Sequence, residues 1–180
     1  MTLRLIFVRH GLSSFNKEGR IQGRSDLSTL TKEGQLQAKA VGGIISSIPI
    51  DAIYSSPLQR ASETTKIIIK QHQSKLQATY TDELLEVDLG PWSGLTKDEL
   101  KNLYPEKLTI WEKEPKELSI NREDGSEFKP IKELLFQAEN FLKSLFKTYS
   151  DSNKTILIVA HNAILRCLIL KLINEPSKGF

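Results

Sequence analysis

The sequence predicts an α/β fold, one domain in three α/β/α layers around a mainly parallel central sheet. Three observations carry this. Leu3, Leu5, Ile6, Phe7 and Val8 form an apolar run broken only by Arg4, and Ile156, Leu157, Ile158, Val159 and Ala160 form another. Near-continuous runs of this kind read as parallel strands covered on both faces. Strand and helix signals then alternate along the chain, the pattern of an α/β sheet. Finally, both runs stop on a histidine, in Arg9-His10-Gly11 and in His161-Asn162-Ala163. Ligands of open α/β sheets gather beyond the carboxyl ends of the strands.

The elements follow in order. After the first strand, residues 12–30 read as a polar loop long enough to be functional. Thr31 caps a helix whose apolar face is expected at Leu36, Ala40, Val41, Ile44, Ile45 and Ile48. Residues 50–54 read as a second strand. Ser56-Pro57 supplies an N-cap and first-turn proline for the next helix. A weaker strand is expected at 78–81. Residues 95–129 read as a helical excursion over the sheet. It opens on a capping box, Thr96 with Glu99, and runs into a solvated charge cluster from Lys113 to Glu117. From Pro130 a strong amphipathic helix presents Ile131, Leu134, Leu135, Ala138, Phe141, Leu142 and Leu145 to the core. No repeat or low-complexity segment interrupts the single unit expected over residues 1–180.

Composition narrows the function. The 180 residues contain 39% hydrophobic and 26% charged side chains, ordinary for a globular domain able to bury a core. A net charge of +3 is too small and dispersed for nucleic acid binding. The lone cysteine, Cys167, excludes an internal disulfide and reads as a small buried helix residue in a reducing compartment. The apolar run 164–173 is broken by Arg166 and Lys171, so no membrane span is expected. With a strand starting at once, no signal peptide is expected either, and the expectation is a cytoplasmic protein.

Two histidines at strand ends suggest a metal first. A metal site needs three or four N, S or O ligands, whereas the companions here are Arg9, Arg166 and, past the second strand, Arg60. Arginines with histidines suit an anion instead, and the planar guanidinium suits phosphate above all. No metal and no cofactor are therefore expected. His72, in the polar stretch 70–75, reads as a solvated surface residue.

One fixed order of motifs now runs through the chain. It comprises Arg9-His10-Gly11, Asn16, Gln22-Gly23, Ser55-Ser56-Pro57-Leu58 with Arg60-Ala61, Glu86 ahead of Gly90-Pro91-Trp92-Ser93-Gly94, and Val159-Ala160-His161. The series resembles the histidine phosphatase superfamily, which includes cofactor-dependent phosphoglycerate mutases and many small-molecule phosphatases. The resemblance covers nearly the whole chain and implies a phosphoglycerate mutase-like fold.

It also implies roles. His10 matches the nucleophile that takes the phosphoryl group, kept neutral by Arg9 and Arg60. Arg9, Arg60 and His161 match the groups holding the phosphoryl oxygens. Asn16, Gln22, Gly23 and Asn162 are added as phosphate contacts, with a loop cap as the other role open to Asn16. Glu86 matches the general acid; Glu83 and Asp88 lie nearby, but the spacing to the glycine-tryptophan segment selects Glu86. Trp92 fits either a pocket wall or the core.

Three departures stand out. Asn162 replaces the glycine that usually follows the second histidine, at a turn where asparagine tolerates unusual backbone angles. Gly125-Ser126-Glu127 replaces a Gly-Glu-Ser element, and neither side chain is assigned a substrate role. After Asn174-Glu175-Pro176 the chain stops at Phe180, so it is expected to lack the family's last C-terminal strands. That would leave the first strand at a sheet edge open to self-association, unless residues 177–180 begin a covering strand.

The expected activity is that of a metal-independent, histidine acid phosphatase-like phosphomonoesterase. It would act on a small soluble phosphate ester through phosphohistidine. A phosphoglycerate mutase is the first alternative, disfavoured by the short insertion and missing tail that would shield the intermediate. A non-catalytic phospho-ligand binder on the same cradle is the second.

Overall fold

The computed structural model describes residues 2–72, 75–122, 124–150 and 153–175. Strand β1 (Leu3–Arg9) leads through the short helix α1 (Ser14–Lys17) to helix α2 (Lys32–Ile44), strand β2 (Ala52–Ser55), helix α3 (Gln59–His72) and strand β3 (Ala78–Tyr80). Single 3-10 turns at Asp82–Leu84 and Gly90–Trp92 lead into the excursion. This holds helices α4 (Lys97–Leu103) and α5 (Pro105–Lys113) and a hairpin of β4 (Ile120–Asn121) with β5 (Glu127–Phe128). Helix α6 (Pro130–Tyr149), strand β6 (Lys154–Ala160) and helix α7 (Asn162–Leu172) complete the fold.

The main sheet has strand order β1-β6-β2-β3, every pair parallel. Central β6 explains its apolar run, since Ile156 to Ala160 are all buried. Alternate residues feed the two faces. Ile156, Ile158 and Ala160 join one cluster with the α6 and α7 side chains, and Leu157 and Val159 join Ile45, Ile53 and Ile68 on the other face. Helices α6 and α7 pack together on the first face and α2 and α3 on the second, so the sheet lies between two helical layers.

Several expectations need correction. The loop 12–30 contains α1, whose capping box joins Ser13 and Asn16. The second strand begins two residues later and ends one residue later than expected, at Ala52–Ser55. Thr31 does cap α2, but the buried face is Gly34, Ala38, Gly42 and Ile45, while Leu36 and Ile44 are exposed. The reason is close approach. A Cβ on Gly34 would sit 2.2 Å from the Leu12 carbonyl oxygen, and one on Gly42 would sit 2.6 Å from the Gln71 side chain. Small residues let α2 press on the chain, so the bulkier face turns outward.

Helix α3 starts at Gln59 rather than at Pro57, and its first N–H donates to Asp26 Oδ1 at 2.6 Å. Ser56 instead accepts from Leu58 N–H. His72 is half-buried and pairs its Nε2 with the Ile48 carbonyl at 2.8 Å, tying the end of α3 to the segment after α2. The excursion contains a hairpin as well as helices, and within its charge cluster Pro115 is buried. Trp92 is core, fully buried with its ring near Tyr104 and Trp111. Asn162 starts α7 in ordinary helical geometry, and the one non-glycine residue at positive φ among the described residues is Asn174. The strand considered for residues 177–180 lies outside the described residues. No described helix is long and apolar enough to cross a membrane.

Candidate active site

Strands β1 and β6 pair in register with Arg9 opposite Ala160, so His10 and His161 emerge together beyond their carboxyl ends. The His10 N–H donates to the Ala160 carbonyl at 3.0 Å, which carries the ladder one rung past the strands. The two imidazoles are buried, with centroids 5.1 Å apart and planes tilted by 58°.

His10 Nδ1 lies 2.8 Å from the Gly11 carbonyl oxygen. A carbonyl only accepts, so the ring proton sits on Nδ1 and the lone pair on Nε2. Burial pushes the imidazole down to about 4, aided by the Arg60 and Arg9 charges and opposed by the Gly11 bond. His161 Nε2 lies 2.8 Å from Ser56 Oγ, which already accepts Leu58 N–H at 3.3 Å. Among the described residues Nε2 is the one acceptor within reach of the Ser56 hydroxyl proton, so the hydroxyl donates to it and the His161 proton belongs on Nδ1, a buried atom without a protein partner. Burial, then the charges of Arg60, His10 and Arg9, hold His161 well below its ordinary range.

Arg60, in the first turn of α3, is fully buried. Its Nη1 donates to the Ser25 carbonyl at 2.7 Å and its Nη2 to the Gly23 carbonyl at 2.8 Å. Gly23 presents that carbonyl from a φ of +49°, where a Cβ would also lie 2.7 Å from Ser93 Oγ. Arg60 Nε is buried with no protein partner. Burial lowers the guanidinium pKa, while Glu86 and Asp26 oppose the shift.

The Glu86 carboxylate accepts N–H groups from Val87 at 2.9 Å, Ala163 at 3.1 Å and Ile164 at 3.2 Å. It therefore sits on the N-terminus of α7, directly after His161. Burial raises its pKa, against these three bonds and the Arg60 charge. The Glu86 segment is itself clamped. Arg24 Nε donates to the Glu86 carbonyl at 3.0 Å and its Nη2 to Gln137 Oε1 at 2.9 Å. Gln137 Nε2 in turn donates to the Glu83 and Leu85 carbonyls. The Glu83 side chain belongs elsewhere, on a 710 Å³ cavity shared with Arg24, Lys132 and Phe136.

A 380 Å³ cavity lined by Arg9, His10, Leu12, Asn16 and Gln37 opens the site. Asn16 has both roles considered for it, lining this cavity while its Oδ1 accepts the Ser13 hydroxyl at 2.9 Å. Gln22 Oε1 accepts the Ser28 hydroxyl at 2.9 Å inside the loop and lies 2.8 Å from Ser13 Oγ. Asn162 is exposed and outside the cavity lining. The fold thus gathers Arg9, His10, Arg60, Glu86 and His161 with Asn16, while the Gln22 side chain and the Gly23 carbonyl are engaged within the loop. The bond of Ser56 to His161, and the parts played by Thr64, Gln37, Arg24 and Gln137, carry no sequence signal, because each is a contact distant in sequence.

Buried donors without partners mark where a ligand supplies the acceptors. Here Arg60 Nε and His161 Nδ1 are such donors beside an imidazole whose lone pair is free. That arrangement suits a tetrahedral oxyanion with its central atom against His10 Nε2. No group of three or more His, Cys, Asp or Glu side chains able to hold a metal occurs among the described residues.

The profile of the histidine phosphatase superfamily, branch 1, matches residues 5–180. The 2-carboxy-D-arabinitol-1-phosphatase of Triticum aestivum is 36% identical over 177 residues, covering 98% of this chain but 34% of that protein. This chain therefore spans about a third of that relative's length. Phosphoserine phosphatase 1 of Hydrogenobacter thermophilus is 32% identical over 178 residues, covering 99% of this chain and 80% of the relative. The structure of Bacillus stearothermophilus YhfR superposes with a TM-score of 0.84 at 28% identity, covering 97% of this chain and 82% of that one.

Proposed function

This chain belongs to the histidine phosphatase superfamily, and from that premise we propose that it is a metal-independent phosphomonoesterase working through phosphohistidine. The observation that carries the reading is the His10 ring. Its Nδ1 proton is committed to Gly11 and its Nε2 lone pair is free among buried cationic and N–H donors. Of the two forms of imidazole, only the neutral one attacks phosphorus, and a pKa of about 4 keeps it neutral at physiological pH.

In the first step the Nε2 lone pair forms a bond to phosphorus while the ester P–O bond breaks. The leaving oxygen takes the proton of the Glu86 carboxyl group. Arg9, Arg60 and His161 Nδ1–H hold the three equatorial oxygens as charge spreads over them. In the second step water attacks phosphorus, gives its proton to the Glu86 carboxylate, and the N–P electron pair returns to Nε2. Inorganic phosphate leaves. Burial raises the Glu86 pKa and favours the protonated acid, whereas the α7 amide groups favour the carboxylate that step two requires.

The substrate is a small soluble phosphate ester. Two relatives are named for esters that bear a carboxylate, so a substrate panel starts with phosphoserine and sugar-acid phosphates. The deciding experiment pulses the protein with a ³²P-labelled ester, quenches in alkali and maps the label, with and without chelator. Acid-labile phosphate on His10, absent from His10→Ala and indifferent to chelator, is expected. Label that persists on His10→Ala, or turnover that needs an added metal, overturns the reading. Transfer between phosphoglycerates in place of hydrolysis identifies the mutase, and binding without label identifies the non-catalytic binder.

A further inference from the structure

The orientation of one peptide group decides which nitrogen of His10 is the nucleophile. The Gly11 carbonyl that takes the Nδ1 proton and the Leu12 N–H belong to the same peptide plane. That N–H donates to Gln37 Oε1, from α2, at 2.9 Å. The neighbouring planes are held separately. Gly11 N–H donates to Thr64 Oγ1 at 3.1 Å, and the Leu12 carbonyl accepts the Thr31 N–H and hydroxyl. The plane between them is therefore secured at one end by the His10 ring and at the other by Gln37.

Gly11 makes this plane unusually free to turn. It lacks a Cβ for a steric reason, since one would lie 2.3 Å from the Gly34 carbonyl oxygen. Glycine leaves its adjoining peptides with the widest conformational range. A flipped plane would point Leu12 N–H at His10 Nδ1. Nδ1 would then have to accept, the ring proton would move to Nε2, and the atom that attacks phosphorus would lose its lone pair.

We propose that Gln37 is a positioning residue that fixes the Nδ1–H tautomer of His10 by holding the Gly11–Leu12 peptide. Gln37 also lines both the 380 Å³ and the 200 Å³ cavities against His10, so it stands beside the ring it governs. Its consequence for turnover rests on the phosphohistidine reading; its effect on the tautomer does not.

The test separates the two. ¹⁵N-histidine NMR of the free protein at neutral pH reports the tautomer of His10 directly. Wild type is expected to show Nδ1–H alone. Gln37→Leu, at an exposed position and checked by a wild-type melting temperature, should show an added Nε2–H population. Its kcat on an aryl phosphate should fall on the order of ten- to a hundredfold, with KM nearly unchanged, as for other partners that orient a working imidazole. Gln37→Glu retains the acceptor and should restore the wild-type tautomer. Unaltered Nδ1–H in Gln37→Leu, or loss of it in Gln37→Glu, overturns the proposal. If the tautomer responds but wild type shows no aryl phosphate turnover, the positioning stands and the hydrolase reading fails.

Discussion

His10 and His161 occupy matching rungs of one parallel ladder, and the 5.1 Å between their rings follows from the register that sets Arg9 opposite Ala160. Neither needs a special loop to reach the other. The sheet supplies their spacing, and residues outside it set their protonation. Gly11 takes the proton of one ring, and Ser56 assigns the proton of the other. A shift of the ladder by one residue would turn one ring to the opposite face, so the site depends on the same pairing that builds the core.

Glu86 is expected to matter in proportion to how badly the leaving group needs a proton. An alkoxide is a poor leaving group, whereas an aryl oxide departs with little help. Glu86→Gln should thus slow alkyl phosphate hydrolysis by at least about a hundredfold and aryl phosphate hydrolysis far less. Parallel kcat/KM measurements on a matched ester pair check it. Equal losses on both would mean that the carboxylate serves chiefly to cap α7.

The strand-end histidines were legible because β1 and β6 are long apolar runs that stop abruptly on polar residues. Helix α6 was legible because its buried face is made of large side chains at helical spacing. The α2 face was not. There, Gly34 and Gly42 are buried for closeness rather than for hydrophobicity, so a pattern of large apolar residues pointed to Leu36 and Ile44. The supporting residues were invisible for a different reason. Gln37, Thr64, Arg24 and Gln137 work by bonds to backbone groups 25 to 62 residues away, and Arg24 and Gln137 also to one another across 113, and no local spacing announces such a bond.

Acid should destabilise the fold in a defined window. Buried His10 titrates at about 4 in the native protein, against an ordinary value of 6.5. The unfolded chain therefore binds the proton first as pH falls. The stability at stake is fully present above pH 6.5 and lost progressively between 6.5 and 4, amounting to about 3 kcal/mol by linkage. His161 is depressed in the same direction. Urea melts at pH 7.5 and 4.5 should show wild type losing about 2 kcal/mol more than His10→Gln over that interval. An equal loss in the two proteins would contradict the buried neutral imidazole.

Two glycines of α2 should respond in opposite directions to the same change. A Cβ on Gly34 meets the Leu12 carbonyl oxygen at 2.2 Å, but one on Gly43 meets nothing within 4 Å. Alanine improves helix propensity at either site by up to about 1 kcal/mol. At Gly34 the overlap outweighs this, and Gly34→Ala should cost about 1–3 kcal/mol net. It should also reduce turnover, since the displaced chain carries the Gly11–Leu12 peptide. Gly43→Ala should stabilise the protein and leave activity unchanged. Thermal melts with aryl phosphate assays on both variants decide it.

Strand β1 pairs with β6 alone among the described residues, which leaves its other side as an edge of the main sheet. Leu3, Leu5, Ile6, Phe7 and Val8 are all only half-buried there, and a long apolar edge is a template for pairing with another strand. Charge at Arg4 and Arg9, both exposed, offers some protection at two positions. The 180-residue chain is therefore expected to self-associate along β1 as its concentration rises. Light scattering should show mass increasing with concentration. Amide exchange should slow at the same time within β1, more than in β3 at the opposite edge. A constant monomer mass with concentration-independent exchange in β1 would rule this association out.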